Sequence, residues 1–208
     1  MDLNTQTQTA PQSTASAIAE PYDLSRLQGK LVTLTPYVHG YSSRDMLYQL
    51  WVLIEQEKVW NLIFYDTQES ETPVPTRGDL GTFAVYMATP GRLPLIVQDN
   101  KSGEISGLMW YDSIIPKFRA QGSYWMRRRF WGHRTREAAL IALDYGFHYL
   151  NLKTVWAFTP WLTSVKTTNS LGFTYVASIP DYCLTDGKIR DIHVSYLKRE
   201  DFKRGQLQ

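Results

Sequence analysis

Between Gly122 and Leu150 the sequence changes its period twice, and no other stretch constrains the fold as strongly. Gly122-Ser-Tyr-Trp-Met reads as a short strand. It runs into Arg127-Arg-Arg-Phe-Trp-Gly-His-Arg-Thr-Arg. Beyond that, Leu140, Leu143, Phe147 and Leu150 return every three or four residues, the spacing of one helical face. A strand that feeds a helix through a basic turn puts the turn at the helix N-terminus. The first N–H groups there lack helical partners and sum to a partial positive charge. Arg127, Arg128, Arg129, Arg134 and Arg136 add full charges around it. The unit predicts a site for a phosphate or another anion. The competing reading is a solvated basic stretch, the usual fate of a charge run.

The remaining elements fall around this unit. Leu31-Val-Thr-Leu-Thr alternates like a half-buried strand. Ser42-Ser-Arg-Asp offers helix caps, and Met46, Leu47, Leu50, Trp51 and Ile54 then trace one helical face. Thr67 to Thr76 is polar and reads as a loop, and Asp79 to Ala88 as a second helix. Leu93 to Asp99 and Glu104 to Tyr111 form a hairpin about Asn100-Lys-Ser-Gly. Thr154 to Thr159 is a strand stopped by Pro160; Ser164 to Leu171 is a short helix closed by Gly172. Phe173 to Val176 opens a strand, and a last hairpin turns at Asp186-Gly187. The order is β, α, α, a meander, then β-α-β-α-β-β. It predicts an α/β fold with a mixed, mostly antiparallel central sheet and helices on both faces.

A chain of 208 residues with 43% hydrophobic content can build one core. We expect a single domain over residues 21–208, with 1–20, a Gln/Thr/Ser/Ala-rich segment, as a disordered tail. A net charge of +2 argues against a dedicated nucleic-acid binder, although Trp125 and Trp131 interleave with the arginines. No run approaches the ~20 apolar residues of a membrane helix. With Cys183 as the only cysteine there is no internal disulfide, which suits a cytoplasmic location. His39, His133, His148 and His193 lack metal-ligand spacing, so no metal site is expected. His133 and His193 read as surface or packed residues, and Cys183 as a small apolar one.

In order and spacing, several stretches resemble the Gcn5-related N-acetyltransferases (GNAT) of the ribosomal-protein N-terminal acetyltransferase type. Leu27-Gln-Gly-Lys-Leu-Val-Thr-Leu-Thr-Pro is similar to their opening strand and Lys101-Ser-Gly-Glu-Ile-Ser-Gly to their central hairpin. Phe130-Trp-Gly-His-Arg-Thr-Arg-Glu-Ala-Ala-Leu resembles the diphosphate loop and its helix, and Asn151-Leu-Lys-Thr-Val-Trp-Ala the next strand. Ser164 through Leu171-Gly-Phe resembles the short helix that follows, and Asp186-Gly-Lys-Ile-Arg-Asp the closing hairpin. The resemblance covers about Leu27 to Phe202.

It implies acetyl-CoA as co-substrate, lying where two central strands splay apart. Gly132, His133, Arg134, Thr135 and Arg136 would hold the diphosphate, with Arg127 and Arg129 beside them. The strand containing Trp125 and Met126 would hold the pantetheine arm. Ser164, eight residues before Gly172, occupies the place of the family's proton donor to the thiolate. Two positions depart from the pattern. The loop reads Gly132-His133-Arg134 where Gly-x-Gly or Gly-x-Ala is usual, and Trp161 stands where an asparagine often lies beside the cofactor. Either acetyl-CoA binds in an altered way or the site has decayed into a binding module.

For the acceptor side, Asp112 is the candidate base, against a strand-end turn carboxylate; Trp110, Tyr111 and Tyr124 are candidate pocket residues, against simple core. Ser164 reads equally as a helix cap. An α-amino group of pKa about 8 is roughly one-tenth neutral at pH 7, a lysine of pKa about 10.4 far less. A site without a strong base therefore suits a protein N-terminus or a small-molecule amine. Exposed edge strands allow a homodimer.

Overall fold

The computed structural model describes residues 27–38, 44–64, 66–67, 75, 77–185 and 187–203. Its order is β1 (Val32–Pro36), α1 (Arg44–Gln56), α2 (Trp60–Ile63), β2 (Asp66–Thr67), α3 (Leu80–Met87), β3 (Leu93–Asp99), β4 (Ile105–Ile115), β5 (Arg119–Met126), α4 (His133–Asp144), β6 (Thr154–Thr159), α5 (Leu162–Ser170), β7 (Thr174–Thr185) and β8 (Lys188–Lys198). The eight strands form one sheet in the order β1-β3-β4-β5-β6-β8-β7-β2. Every pairing is antiparallel except β5 with β6. The mixed, mostly antiparallel sheet expected from the sequence is the observed one.

Period two sorts the central strands onto two faces. Leu95 and Val97 of β3 and Met109 and Tyr111 of β4 pack under α4 with Leu140, Leu143 and Phe147. Ile96, Leu108 and Trp110 turn the other way, onto Leu50 and Ile54 of α1 and Phe83 and Met87 of α3. Both faces are thus covered, which is why β3 and β4 read as near-continuous apolar runs. α3 begins where Asp79 caps the Thr82 N–H at 3.1 Å, and Gly172 closes α5 at φ +93°.

The structure adds to the expected elements. α2 and Asp66 of β2 lie in a stretch to which the sequence pattern assigns no element, and Thr67 opens the segment read as a loop. β4, β5, β7 and β8 run longer than their apolar patterns, because sheet pairing carries polar residues along. α4 continues into a π-helical turn, Tyr145–Tyr149. The Tyr111 hydroxyl explains it. Buried beneath the helix, it donates to the Ala142 carbonyl at 2.6 Å, and a side chain wedged against the helical ladder displaces it locally. Gly146 makes the room: a Cβ there would stand 2.9 Å from Tyr111 Cζ. The residue 1–20 tail, the Ser42-Ser43 caps, nearly all of the Thr67–Thr76 loop and Asp186 lie outside the described residues.

At the other end of α4, Glu137 accepts from the backbone N–H groups of Lys30, Leu31 and Val32 at 2.9, 2.6 and 2.9 Å. One carboxylate thereby ties the start of β1 to the helix. Gly146→Ala is expected to cost about 1–3 kcal/mol in urea unfolding through overpacking. In the background of Tyr111→Phe, which removes the hydroxyl, the cost falls by about half.

Candidate active site

β5 and β6 pair only through Arg119–Thr154, Ala120–Val155 and Gln121–Trp156. From Gly122 onward the strands part, and β5 keeps only β4 as a partner. A cleft opens at the split, enclosing about 930 Å³ of non-atom space, part of it open to solvent. Gly122, Ser123 and Tyr124 of β5 form one wall, Ala157, Phe158 and Thr159 of β6 the other. Ala139, Ala142 and Leu143 of α4 floor it, and Trp161, Ser164 and Thr168 close it from the α5 side. Leu62 and Ile63 of α2 reach the opposite end. Among the described residues, the lining contains no Asp, Glu, Lys, Arg or His.

Of the predicted site residues, Trp110, Tyr111, Tyr124, Trp161 and Ser164 meet in this cleft. The Tyr111 hydroxyl is already engaged by Ala142, and burial pushes its pKa up. Ser164 is half-buried in the first turn of α5, its N–H bonded to the Trp161 carbonyl at 3.0 Å. It is not the cap: Trp161 holds that position, without a side-chain bond. Asp112 lies elsewhere. It pairs with Arg92, whose guanidinium carbon stacks 3.4 Å from the centre of the Tyr86 ring. Burial raises the Asp112 pKa and the Arg92 charge opposes that rise. A carboxylate so enclosed, and absent from the cleft lining, is not placed to take a proton from an acceptor.

The basic turn is more neutral than its sequence. Arg127 Nε lies 2.6 Å from Glu57, and its Nη1 donates to the Ile105 carbonyl at 3.1 Å. Arg129 meets Glu104 at 2.6 Å. Arg136 donates to the Ser170 carbonyl at 3.0 Å. Arg134 turns inward to Asp99, which is 2% exposed. The Arg134 hydrogen bond holds the Asp99 carboxyl below the usual carboxylate range. The expected ring of five free cations is therefore four arginines bonded to the protein's own oxygens, with Arg128 exposed beside them. Arg134 answers a buried aspartate that ends β3, a partner 35 residues away that no local motif shows.

What remains for an anion is backbone. Gly132 and His133 are exposed at the start of α4, and no described side chain caps that helix. Gly132 has φ +88° and ψ −124°, a conformation open to glycine, with nothing within 4 Å of where a Cβ would lie. Thr135 is buried and bonds the Phe130 carbonyl at 3.3 Å. Trp125 and Met126 are core residues, one on each face of the sheet. The Trp131 indole N–H donates to the Met126 carbonyl at 2.8 Å. Sequence reasoning missed Leu62, Ile63, Phe158 and Thr159, because only the splay brings their elements together.

No protein-family model matches the chain, and no curated protein matches it by sequence. Solved structures do match in shape. The fold is that of the Gcn5-related N-acetyltransferases. Spermidine N-acetyltransferase from Vibrio cholerae, in complex with CoA and spermine, aligns with a TM-score of 0.63 and 18% identity over 82% of this chain and 97% of its own. Ribosomal-protein-S5-alanine acetyltransferase from Vibrio fischeri aligns with a TM-score of 0.63 and 16% identity over 85% and 97%.

The Asp99 pair gives a signed prediction. A carboxyl whose folded pKa is depressed contributes stability above its unfolded pKa of about 3.9 and loses it as pH falls below. Arg134→Gln is expected to cost about 2 kcal/mol at pH 7 in urea unfolding, less than a fully buried pair because Arg134 is part-exposed and Ser102 also bonds Asp99. The gap between variant and wild type shrinks at pH 3.

Proposed function

We propose that the protein is an N-acetyltransferase that moves an acetyl group from acetyl-CoA to an amine within a ternary complex. The observation that carries this reading is the β5–β6 split. It leaves a β5 edge for an amide-bearing pantetheine arm beside the cleft, and the turn that follows β5 leads into an uncapped helix N-terminus suited to a diphosphate. The backbone of Gly132 to Thr135 would hold the diphosphate. Arg128 would add charge, and Arg134 would act through Asp99 and not through the phosphate. Trp161 would pack against the cofactor.

The chemistry follows from a cleft whose described lining residues include no ionisable acid or base other than tyrosine. A neutral amine attacks the thioester carbonyl, the carbon–sulfur bond breaks, and the amine proton leaves to solvent. The Ser164 hydroxyl gives its proton to the departing thiolate and regains one from the solvent that received the amine proton, so the serine ends as it began. Alignment in an enclosed site supplies much of the rate. Because nothing in the lining can strip a proton from an alkylammonium of pKa near 10, the acceptor is an amine with a lower pKa, a protein N-terminus or a small molecule. Bonding of the basic turn to the protein's own groups weighs against nucleic acid as acceptor. The buried, free Cys183 supports a cytoplasmic setting, and the long β7, covered by only two residues of β2, gives a homodimer an edge to pair on.

Thermal unfolding with acetyl-CoA tests the reading. At 100 times its dissociation constant the ligand adds about 2.7 kcal/mol, a rise of several degrees. Gly132→Val is expected to abolish the shift and, by straining a positive-φ backbone, to lower the ligand-free midpoint by a few degrees as well. Ser164→Ala keeps the shift and lowers kcat by about tenfold to a hundredfold. A wild-type protein that acetyl-CoA does not stabilise would instead be a binding module on this fold.

A further inference from the structure

Beside the cleft, Arg190 of β8 places its guanidinium carbon 4.7 Å from the centre of the Trp161 ring. Trp161 lines the cleft, and Arg190 is half-buried. Arg77, Arg92, Arg127, Arg129 and Arg134 each meet a carboxylate. Arg190 meets none among the described residues, and its Nε is buried without an acceptor. The Trp161 Nε1 is buried without one as well. The adjacent Asp191 turns to β7, where it accepts from the Ser178 hydroxyl at 3.4 Å and the Asp181 N–H at 3.3 Å.

Two stacked side chains at the edge of the cleft therefore hold N–H donors with no partner, and one carries a full positive charge. Leaving such donors unpaired is unfavourable, and an acceptor-only group relieves it. Stacking on the indole fixes the guanidinium plane, so its fork is set before a ligand arrives. Among the described residues, the cleft lining offers no charge of either sign.

We infer that Arg190, braced on Trp161, binds a carboxylate on the acceptor, which makes the acceptor an amino-carboxylate with an apolar body. This rests on the acetyltransferase reading above. The carboxylate bonds the guanidinium at the rim, the body lies against Phe158 and Trp110, and the amine faces the thioester. A polyamine meets no anion in the lining and a like charge at Arg190.

The test uses the full chain saturated with CoA and titrated with phenylacetate or phenylacetamide, followed by tryptophan fluorescence. Wild type is expected to bind phenylacetate about tenfold more tightly than the amide. In Arg190→Gln the preference drops below about twofold, in Arg190→Lys part of it returns, and CoA affinity is unchanged in both. Equal binding of the two probes, no binding of phenylacetate, or a preference that survives Arg190→Gln overturns the inference. Weaker CoA binding in Arg190→Gln also overturns it, assigning the arginine to the CoA phosphates. If CoA fails to bind but the preference and its loss appear in the CoA-free protein, the carboxylate site stands and the acetyltransferase reading falls.

Discussion

β5 and β6 run side by side for three residue pairs and then separate. A parallel pair in the middle of an otherwise antiparallel sheet must be joined by a crossover, and here the crossover is α4. The helix sits over the split and buries Ala138, Leu140, Ile141, Leu143 and Phe147 against the sheet. Its small residues, Ala139 and Ala142, therefore lie at the floor of the cleft, and its first turn follows the end of β5. The Tyr111 wedge below and the Glu137 clasp above fix where that helix can lie. Cleft, helix terminus and the α5 serine are placed together by one interrupted ladder.

Charge is distributed to match. Around the α4 start, Arg127, Arg129, Arg134 and Arg136 are bonded to the protein's own oxygens, so the region gains local order and Arg128 is left exposed beside them. Among the described residues, the cleft lining includes no Asp, Glu, Lys, Arg or His. Dipoles of backbone and hydroxyl groups act more strongly there than in water, because the surroundings are apolar. At the rim, Arg190 supplies the one cation stacked on a lining residue.

Much of the fold was legible because periodicity reports burial directly. The Thr154 to Thr159 strand, the Leu140–Leu143–Phe147 face and the Asp79 helix were all readable that way. α2 is only four residues long, and β2 only two, so neither has a pattern to read. The site was less legible. Ser164 and Trp161 line the cleft, but Asp112 is paired with Arg92, 20 residues away in sequence, and Arg92 in turn lies over the Tyr86 ring. Arg134 looked like a phosphate ligand because charge beside a glycine suggests one; only the register of β3 shows that a buried aspartate lies beneath it. Arg190 sat within a quoted hairpin and drew no role, since nothing local marks an arginine as unpaired.

Hydrogen–deuterium exchange of the full chain, with and without acetyl-CoA, tests the central claim most directly. If the split between β5 and β6 is an acyl-CoA cleft, the ligand slows exchange over Gly122 to Thr135, the β5 edge and the α4 start, and leaves β1 and β3 unchanged. Exchange that is identical over Gly122 to Thr135 at saturating acetyl-CoA would contradict it.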